Sequence, residues 1–395
     1  MRRLFVLTIA LFLIEVQAGF SQVQWSGLLD AGFSMGEVDS KTITNGIGNR
    51  YPNFSIMNLH LFFGSQVTDR WSVSGKFLYA PGWYGEESWP RLAFASLNYD
   101  SEDETWGVSA GRLLTPFGLY PKRQHSTESI SFTPPLAYGF FINMSRLRGF
   151  WPKTGDTGSY GSEDVGLTPA TFLGYQTGFK AYFVYEDFFE SEVMVSNEPV
   201  STGGNLKANG SLSVTGRLAL RPAIWAVFGF SGSYGSFMTK DAVNSVLTDI
   251  EENKQLTIGV DGVLAYSYFE LSGEYLWSRW TAPMFKDGVF VPNGNGIGFR
   301  SFSLTNHGAY ADLKFDIPQI PGLFLAGRFD RIWFDPVVFP DGKEKQWDID
   351  TDRLTAVVGY TIDQGVLIKL VGFKQTNEGT DPKDDGAAAI MSFSF

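Results

Sequence analysis

Between Arg112 and Lys153 the chain carries six basic residues, Arg112, Lys122, Arg123, Arg146, Arg148 and Lys153, against a single acid, Glu128. The stretch is net +5 in a chain of formal charge −11, which leaves 25 basic and 41 acidic residues elsewhere, net −16. A basic insert in an acidic protein is where attraction for anions would be built. Clustered cations between low-dielectric walls focus the field and raise the local anion concentration. Arginine adds a planar fork that matches carboxylate or phosphate oxygens, where lysine acts as a point charge.

Other patterns assemble no chemistry. Gly32-Phe-Ser-Met-Gly36 satisfies G-x-S-x-G, but that motif needs a helix after the turn to expose its serine, and here polar residues without a helical period follow. His60, His125 and His307 are too widely separated for a local metal-ligand spacing. Asp348-Ile-Asp-Thr-Asp352 opens like a calcium loop. However, Arg353 stands at its sixth position and Gly359 at its twelfth, where glycine and glutamate belong. Surface calcium held there with Asp381, Asp384 or Asp385 stays open. Gly294-Asn-Gly-Ile-Gly298 has no helix after it and reads as loop. The expectation is no enzyme, no cofactor and no resident metal. The acidic balance argues against a nucleic-acid binder.

The elements that must position the basic segment have a period of two. In Trp71 to Tyr79, the residues Trp71, Val73, Phe77 and Tyr79 share one face and Ser72, Ser74 and Lys76 the other. Leu212, Val214, Leu218 and Leu220 oppose Ser211, Ser213, Thr215 and Arg217 in the same way. Such alternation suits a strand with lipid outside and water inside. Sixteen segments follow this reading: 23–35, 54–66, 71–80, 91–99, 105–113, 173–185, 189–196, 211–220, 223–235, 255–265, 268–280, 303–315, 323–334, 351–361, 366–376 and 387–395. Short and long connections alternate between them, with 44 glycines, 16% aromatics and no cysteine in 395 residues. The expected fold is all-β: a transmembrane antiparallel up-and-down barrel of about sixteen strands. An even count closes the sheet and leaves no edge. Trp25, Trp71, Tyr99, Trp106 and Trp225 would form one aromatic girdle, and Tyr79, Trp277 and Trp333 the other.

Arg2 and Arg3, an apolar run from Leu4 to Ile14 and small residues at Ala18 and Gly19 read as a secretory signal peptide over 1–21, cleaved after Ala18 or Ser21. The arginine pair also permits a twin-arginine route. The general secretory route is preferred, because a barrel must cross the inner membrane unfolded. Residues 22–395 then form one bacterial outer-membrane domain, with both termini on the periplasmic, short-turn side. Its partners would be membrane lipid, lipopolysaccharide and small solutes.

The third long loop, 114–172, is the longest. Its start, Gly111-Arg-Leu-Leu-Thr-Pro-Phe-Gly118, resembles the Gly-[Arg/Lys]-x-x-x-Pro-Phe-Gly stretch of the phosphate-selective porin O/P family and related anion porins. That resemblance implies a loop folded inward as a constriction, a homotrimer, and passive diffusion of small solutes with anion preference. The strand ending Met391-Ser-Phe-Ser-Phe395 resembles the C-terminal signal read by the barrel assembly machinery. Lys76, Arg217, Lys314, Arg328, Arg353 and Lys369 have inward parity and would extend a basic track. Asp261, Glu270, Glu274, Asp312 and Asp330 share that parity, so the cations could equally be half of structural pairs. Two further readings stay open. In one the segment lies outside against lipopolysaccharide. In the other, Phe117, Tyr120, Phe132, Tyr138, Phe140, Phe141, Phe150 and Trp151 form an aromatic track for neutral solutes such as sugars. A barrel used only for surface binding is the remaining alternative.

Overall fold

Alternation decides the architecture. In the computed structural model, residues 23–36, 53–80, 90–151, 166–202, 211–239, 252–286, 289–292, 299–339, 341–378 and 385–395 are described. Sixteen strands close one antiparallel barrel in chain order. They are β1 (Gln24–Gly36), β2 (Asn53–Gln66), β3 (Trp71–Tyr79), β4 (Arg91–Asp100), β5 (Trp106–Leu114), β6 (Tyr175–Tyr185), β7 (Phe189–Ser196) and β8 (Ser213–Ala223). The sequence continues with β9 (Ala226–Ser236), β10 (Lys254–Tyr266), β11 (Phe269–Pro283), β12 (Ser301–Asp316), β13 (Leu323–Phe334), β14 (Thr351–Asp363), β15 (Val366–Asn377) and β16 (Gly386–Ser394).

Along β8, Val214, Leu218 and Leu220 are exposed while Ser213, Thr215 and Arg217 are buried. A water-soluble sheet would show the reverse. An apolar exterior around a polar interior is the pattern of a barrel that hydrocarbon surrounds. Outward-facing aromatics gather near the short turns, where Trp71 and Tyr99 lie 5.0 Å apart and Tyr99 and Trp106 5.7 Å. At the long-loop end, Tyr275 and Trp333 are 6.1 Å apart. Of the expected girdle residues, Trp71, Tyr99 and Trp106 meet at the short-turn end and Trp333 stands at the other.

Strand β1 pairs with β16 from Leu28–Ser394 to Gly36–Gly386, which closes the sheet. Beyond β16, Gly27 N–H donates to the Phe395 carbonyl at 2.7 Å and Phe395 N–H to Gly27 at 3.0 Å. The Phe395 ring occupies the space a side chain at residue 27 would need.

Two irregularities re-aim side chains into the interior. The register shifts between Asp30 and Ala31, which face Asn58 and Ile56 and leave Met57 as the extra residue. It shifts again between Lys76 and Phe77, which face Phe94 and Leu92 and leave Ala93 extra. Bulges of this kind break strict alternation. Met57 and Ala93 are both buried.

The expected signal peptide over 1–21, Lys153, the Gly294–Gly298 stretch, Asp381 and Asp384 lie outside the described residues.

Candidate functional site

The third long connection runs from Thr115 to Gly174 and, among the described residues, carries two short helical turns, Tyr120–Arg123 and Leu136–Gly139. Glycine makes its first bend possible. Gly111 has φ of 134°, and a Cβ there would lie 2.2 Å from the Ala95 carbonyl oxygen. Gly118 has φ of 65°, and a Cβ there would lie 2.1 Å from Glu274 Oε1. Side chains are excluded at both positions by backbone conformation and by space.

Beyond Gly118 the loop bonds to strands around the circumference. Gly118 N–H donates to Ser231 Oγ of β9 at 3.0 Å. Glu274 of β11 accepts from Leu119 N–H at 3.2 Å, Tyr120 N–H at 3.4 Å and the Tyr138 hydroxyl at 2.6 Å. Asp330 of β13 accepts from Leu136 N–H at 2.8 Å. Arg328 and Arg353 donate to the carbonyls of Thr133 and Pro134 at 3.0 and 3.2 Å. Lys369 of β15 donates to the carbonyls of Ser126 and Ser129 at 2.5 and 2.8 Å, and Ser126 Oγ donates to Asp30 of β1 at 2.5 Å. A single connection that reaches β1, β9, β11, β13, β14 and β15 of a closed barrel does so from within. Buried polar groups need such partners, and here wall and loop supply them to each other.

The basic residues divide by partner. Lys122 pairs with Glu190 at 3.0 Å and Glu192 at 2.9 Å, Arg123 with Glu270, and Arg146 with Glu198. On the wall, Arg217 pairs with Asp261 at 2.5 Å, and Arg328 holds Asp312 through two bonds of 2.6 and 2.8 Å. Lys314 pairs with Asp316 at 2.9 Å near the short-turn end. The Arg148 guanidinium lies 5.5 Å from the Phe285 ring centroid. Arg353 donates to Gln375 Oε1 at 2.8 and 3.0 Å.

Lys76 and Lys369 use neutral acceptors instead. Lys369 has the two carbonyls given above. Lys76 Nζ donates to the Tyr175 hydroxyl at 2.5 Å and lies 3.3 Å from His125 Nε2. Burial first, and Lys76 second, hold the His125 imidazole down to about 4. The ring is therefore neutral at neutral pH and its free nitrogen can accept. Tyr138 is pushed up by burial and then by Glu274, so it keeps its proton and donates.

Arg91 at the start of β4, Arg112 near the end of β5 and Arg146 of the loop lie on the long-loop side. Arg112 feels the charge of Arg91 and of Glu198, and Glu198 bonds Arg146. The Arg112 Nε is buried with no hydrogen-bond partner among the described residues. Sequence reading missed Arg91 and Glu198. Arg91 gains its place from the bulge at Ala93, and Glu198 sits in a loop beyond the reach of strand parity.

Most of the loop aromatics pack instead of forming a track. Phe117, Tyr120 and Tyr138 cluster with Leu276 and Tyr310 of the wall. Phe140 and Phe150 cluster with Trp280, Phe302 and Phe334. Of the eight aromatics, Tyr120 and Phe132 border a cavity between the loop and β1–β3.

The arrangement defines a sixteen-stranded porin-type barrel. Solved structures with the same fold include an anion-selective porin from Comamonas acidovorans, at 10% identity and TM-score 0.59, covering 95% of this chain and all of that one. The channel DcaP of Acinetobacter baumannii aligns at 12% identity and TM-score 0.55, over 96% of this chain and 98% of that one. OmpT, an outer-membrane protein of Vibrio cholerae, aligns at 10% identity and TM-score 0.57 in a trimer form, over 95% of this chain and all of that one. No family model matches the sequence, and no curated protein matches it.

Proposed function

We propose that this chain is a bacterial outer-membrane porin for passive diffusion of small hydrophilic solutes, with a preference for anions. The observation that carries the preference is Arg112, whose buried Nε has no hydrogen-bond partner among the described residues, within the field of Arg91 and of Glu198. A buried guanidinium with a donor left over draws anions, and low-dielectric walls strengthen its field. Lys76 and Lys369 donate to neutral acceptors in the same interior. Lys122 and Arg123 belong to the structural reading, since Glu190, Glu192 and Glu270 answer their charges. The loop is the constriction, both termini are periplasmic, and the fold shared with a trimeric neighbour supports a homotrimer. Secretion through a signal peptide, assembly through the strand ending at Phe395, and contact with lipopolysaccharide complete this reading.

Reversal potentials in a salt gradient across a planar bilayer test it. The expected result is a potential of anion-selective sign that moves toward zero in Arg112→Ser. A cation-selective pore refutes the preference and leaves the channel. Absence of any conductance refutes the channel and favours a surface-binding barrel.

A further inference from the structure

At the long-loop end of the barrel the third loop makes a tight turn, with Met144 paired to Phe150 and Ser145 to Gly149. Gly149, at φ of 64°, lets this turn press on the end of β11, since a Cβ there would lie 2.6 Å from the Pro283 carbonyl oxygen. The tip, Arg146-Leu147-Arg148, divides its two cations. Arg146 bonds Glu198, whereas the Arg148 guanidinium lies 5.5 Å from the Phe285 ring centroid. From Phe285 the ring contacts continue to Phe290 at 5.3 Å and on to Phe299 at 5.4 Å. Arg300 follows, its guanidinium 4.9 Å from the Phe302 centroid. Leu147, Phe285, Val291 and Phe299 are half-buried and pack on the apolar cluster beneath them.

We infer that this patch is a binding subsite for a small aromatic carboxylate. A guanidinium placed over a ring keeps its N–H donors in its own plane, where they match the two oxygens of a carboxylate. Phe285 and Phe299 offer the edge and face contacts that a further ring takes up at centroid distances of about 4.5–7 Å. An apolar patch bordered by polar groups is where a solute of mixed character docks.

Charge and polarity choose the class. Among the described residues no carboxylate pairs with Arg300, so its charge is available to a solute. The Ser145 hydroxyl accepts from the Leu147 and Arg148 amides at 3.2 and 3.4 Å, which leaves cations and rings as the groups a solute meets. A hydrated inorganic anion gains from the cations and nothing from the rings. A neutral aromatic gains from the rings and nothing from the cations. One ring carrying one carboxylate gains from both, and a cationic solute is repelled. The inference rests on the barrel being a channel for small anions, and it assigns capture of the solute to the long-loop mouth.

The test is current recording from the reconstituted full chain with sodium benzoate added on one side, alongside saturation-transfer NMR of benzoate with the detergent-solubilised barrel, empty micelles subtracted. Benzoate is expected to reduce the current in a saturable way and to bind about tenfold more tightly than acetate, the worth of one good ring contact. Phe285→Ala and Arg300→Gln should each weaken both the block and the NMR transfer by about tenfold. Heat-modifiable migration in detergent checks that each variant is folded. Equal binding of benzoate and acetate, or of benzoate and benzyl alcohol, overturns the subsite, and so do parental affinities in both variants. Anion-selective conductance with no benzoate transfer overturns the subsite and leaves the porin standing. Benzoate transfer that both variants lose, in a barrel without conductance, sustains the subsite and overturns the porin.

Discussion

Glu274 of β11 and Tyr138 of the third long loop meet at 2.6 Å, both fully enclosed, with the Leu119 and Tyr120 amides on the same carboxylate. One wall residue thus holds the loop at two points nineteen residues apart along the chain. In Glu274→Ala four buried donors, these three and the Tyr310 hydroxyl at 3.4 Å, lose their acceptor, at about 1–3 kcal/mol each. Higher conductance, noisier current and protease cleavage within 115–150 are expected. A variant with parental conductance and protease resistance would show that the anchor is dispensable.

Gly118 tests the same anchor from the other side. A Cβ at this position would lie 2.1 Å from Glu274 Oε1 and 2.3 Å from the Tyr138 hydroxyl, on a backbone at φ of 65°. Gly118→Ala should reproduce the Glu274→Ala phenotype. The double variant should add little, because both changes break one contact and neighbouring effects are not additive. Additive increases in conductance would separate the two residues.

Arg328 and Asp312 form a buried two-bond ion pair inside the barrel. Asp312→Ala leaves the guanidinium without its carboxylate, at a cost of about 3–5 kcal/mol. Replacing both partners, as Arg328→Met with Asp312→Leu, should recover most of that loss. Urea midpoints of unfolding in lipid vesicles measure both, and equal midpoints for the single and double variants would contradict the pairing argument.

The wall was legible because its signal is repeated. Each strand alternates lipid-facing and interior residues, so a misread position in one is outvoted by its neighbours. Strands β7 and β13 coincide with the segments read from sequence, and the largest departures fall at ends such as Ala226 and Pro283. The candidate site was less legible, because it depends on where parity fails. The bulges at Met57 and Ala93 place Asn58 and Arg91 where they are, and nothing in a period of two announces them. Loop charges were misleading for a different reason. Lys122 and Arg123 count as positive in the loop, yet their carboxylates lie on β7 and β11, far away in sequence. Glycines 111 and 118 were readable, since a turn residue acts through its own backbone.

His125 gives the loop a pH dependence whose sign follows from its surroundings. The ring sits beside Lys76 at 3.3 Å and edge-on to His60 at 5.1 Å between centroids, and burial with Lys76 lowers it to about 4. In a displaced loop the imidazole returns to its ordinary value of about 6.5. The displaced state therefore takes up the proton first, and docking weakens as the pH falls from about 6.5 toward 4. Above that window the contribution is complete. Hydrogen exchange of the 120–131 amides should be slow at pH 7 and faster at pH 4.5, after correction for the intrinsic rate. In His125→Gln, which can still accept from Lys76 but does not titrate, the difference should vanish. An unchanged pH profile in that variant would move the response to another group.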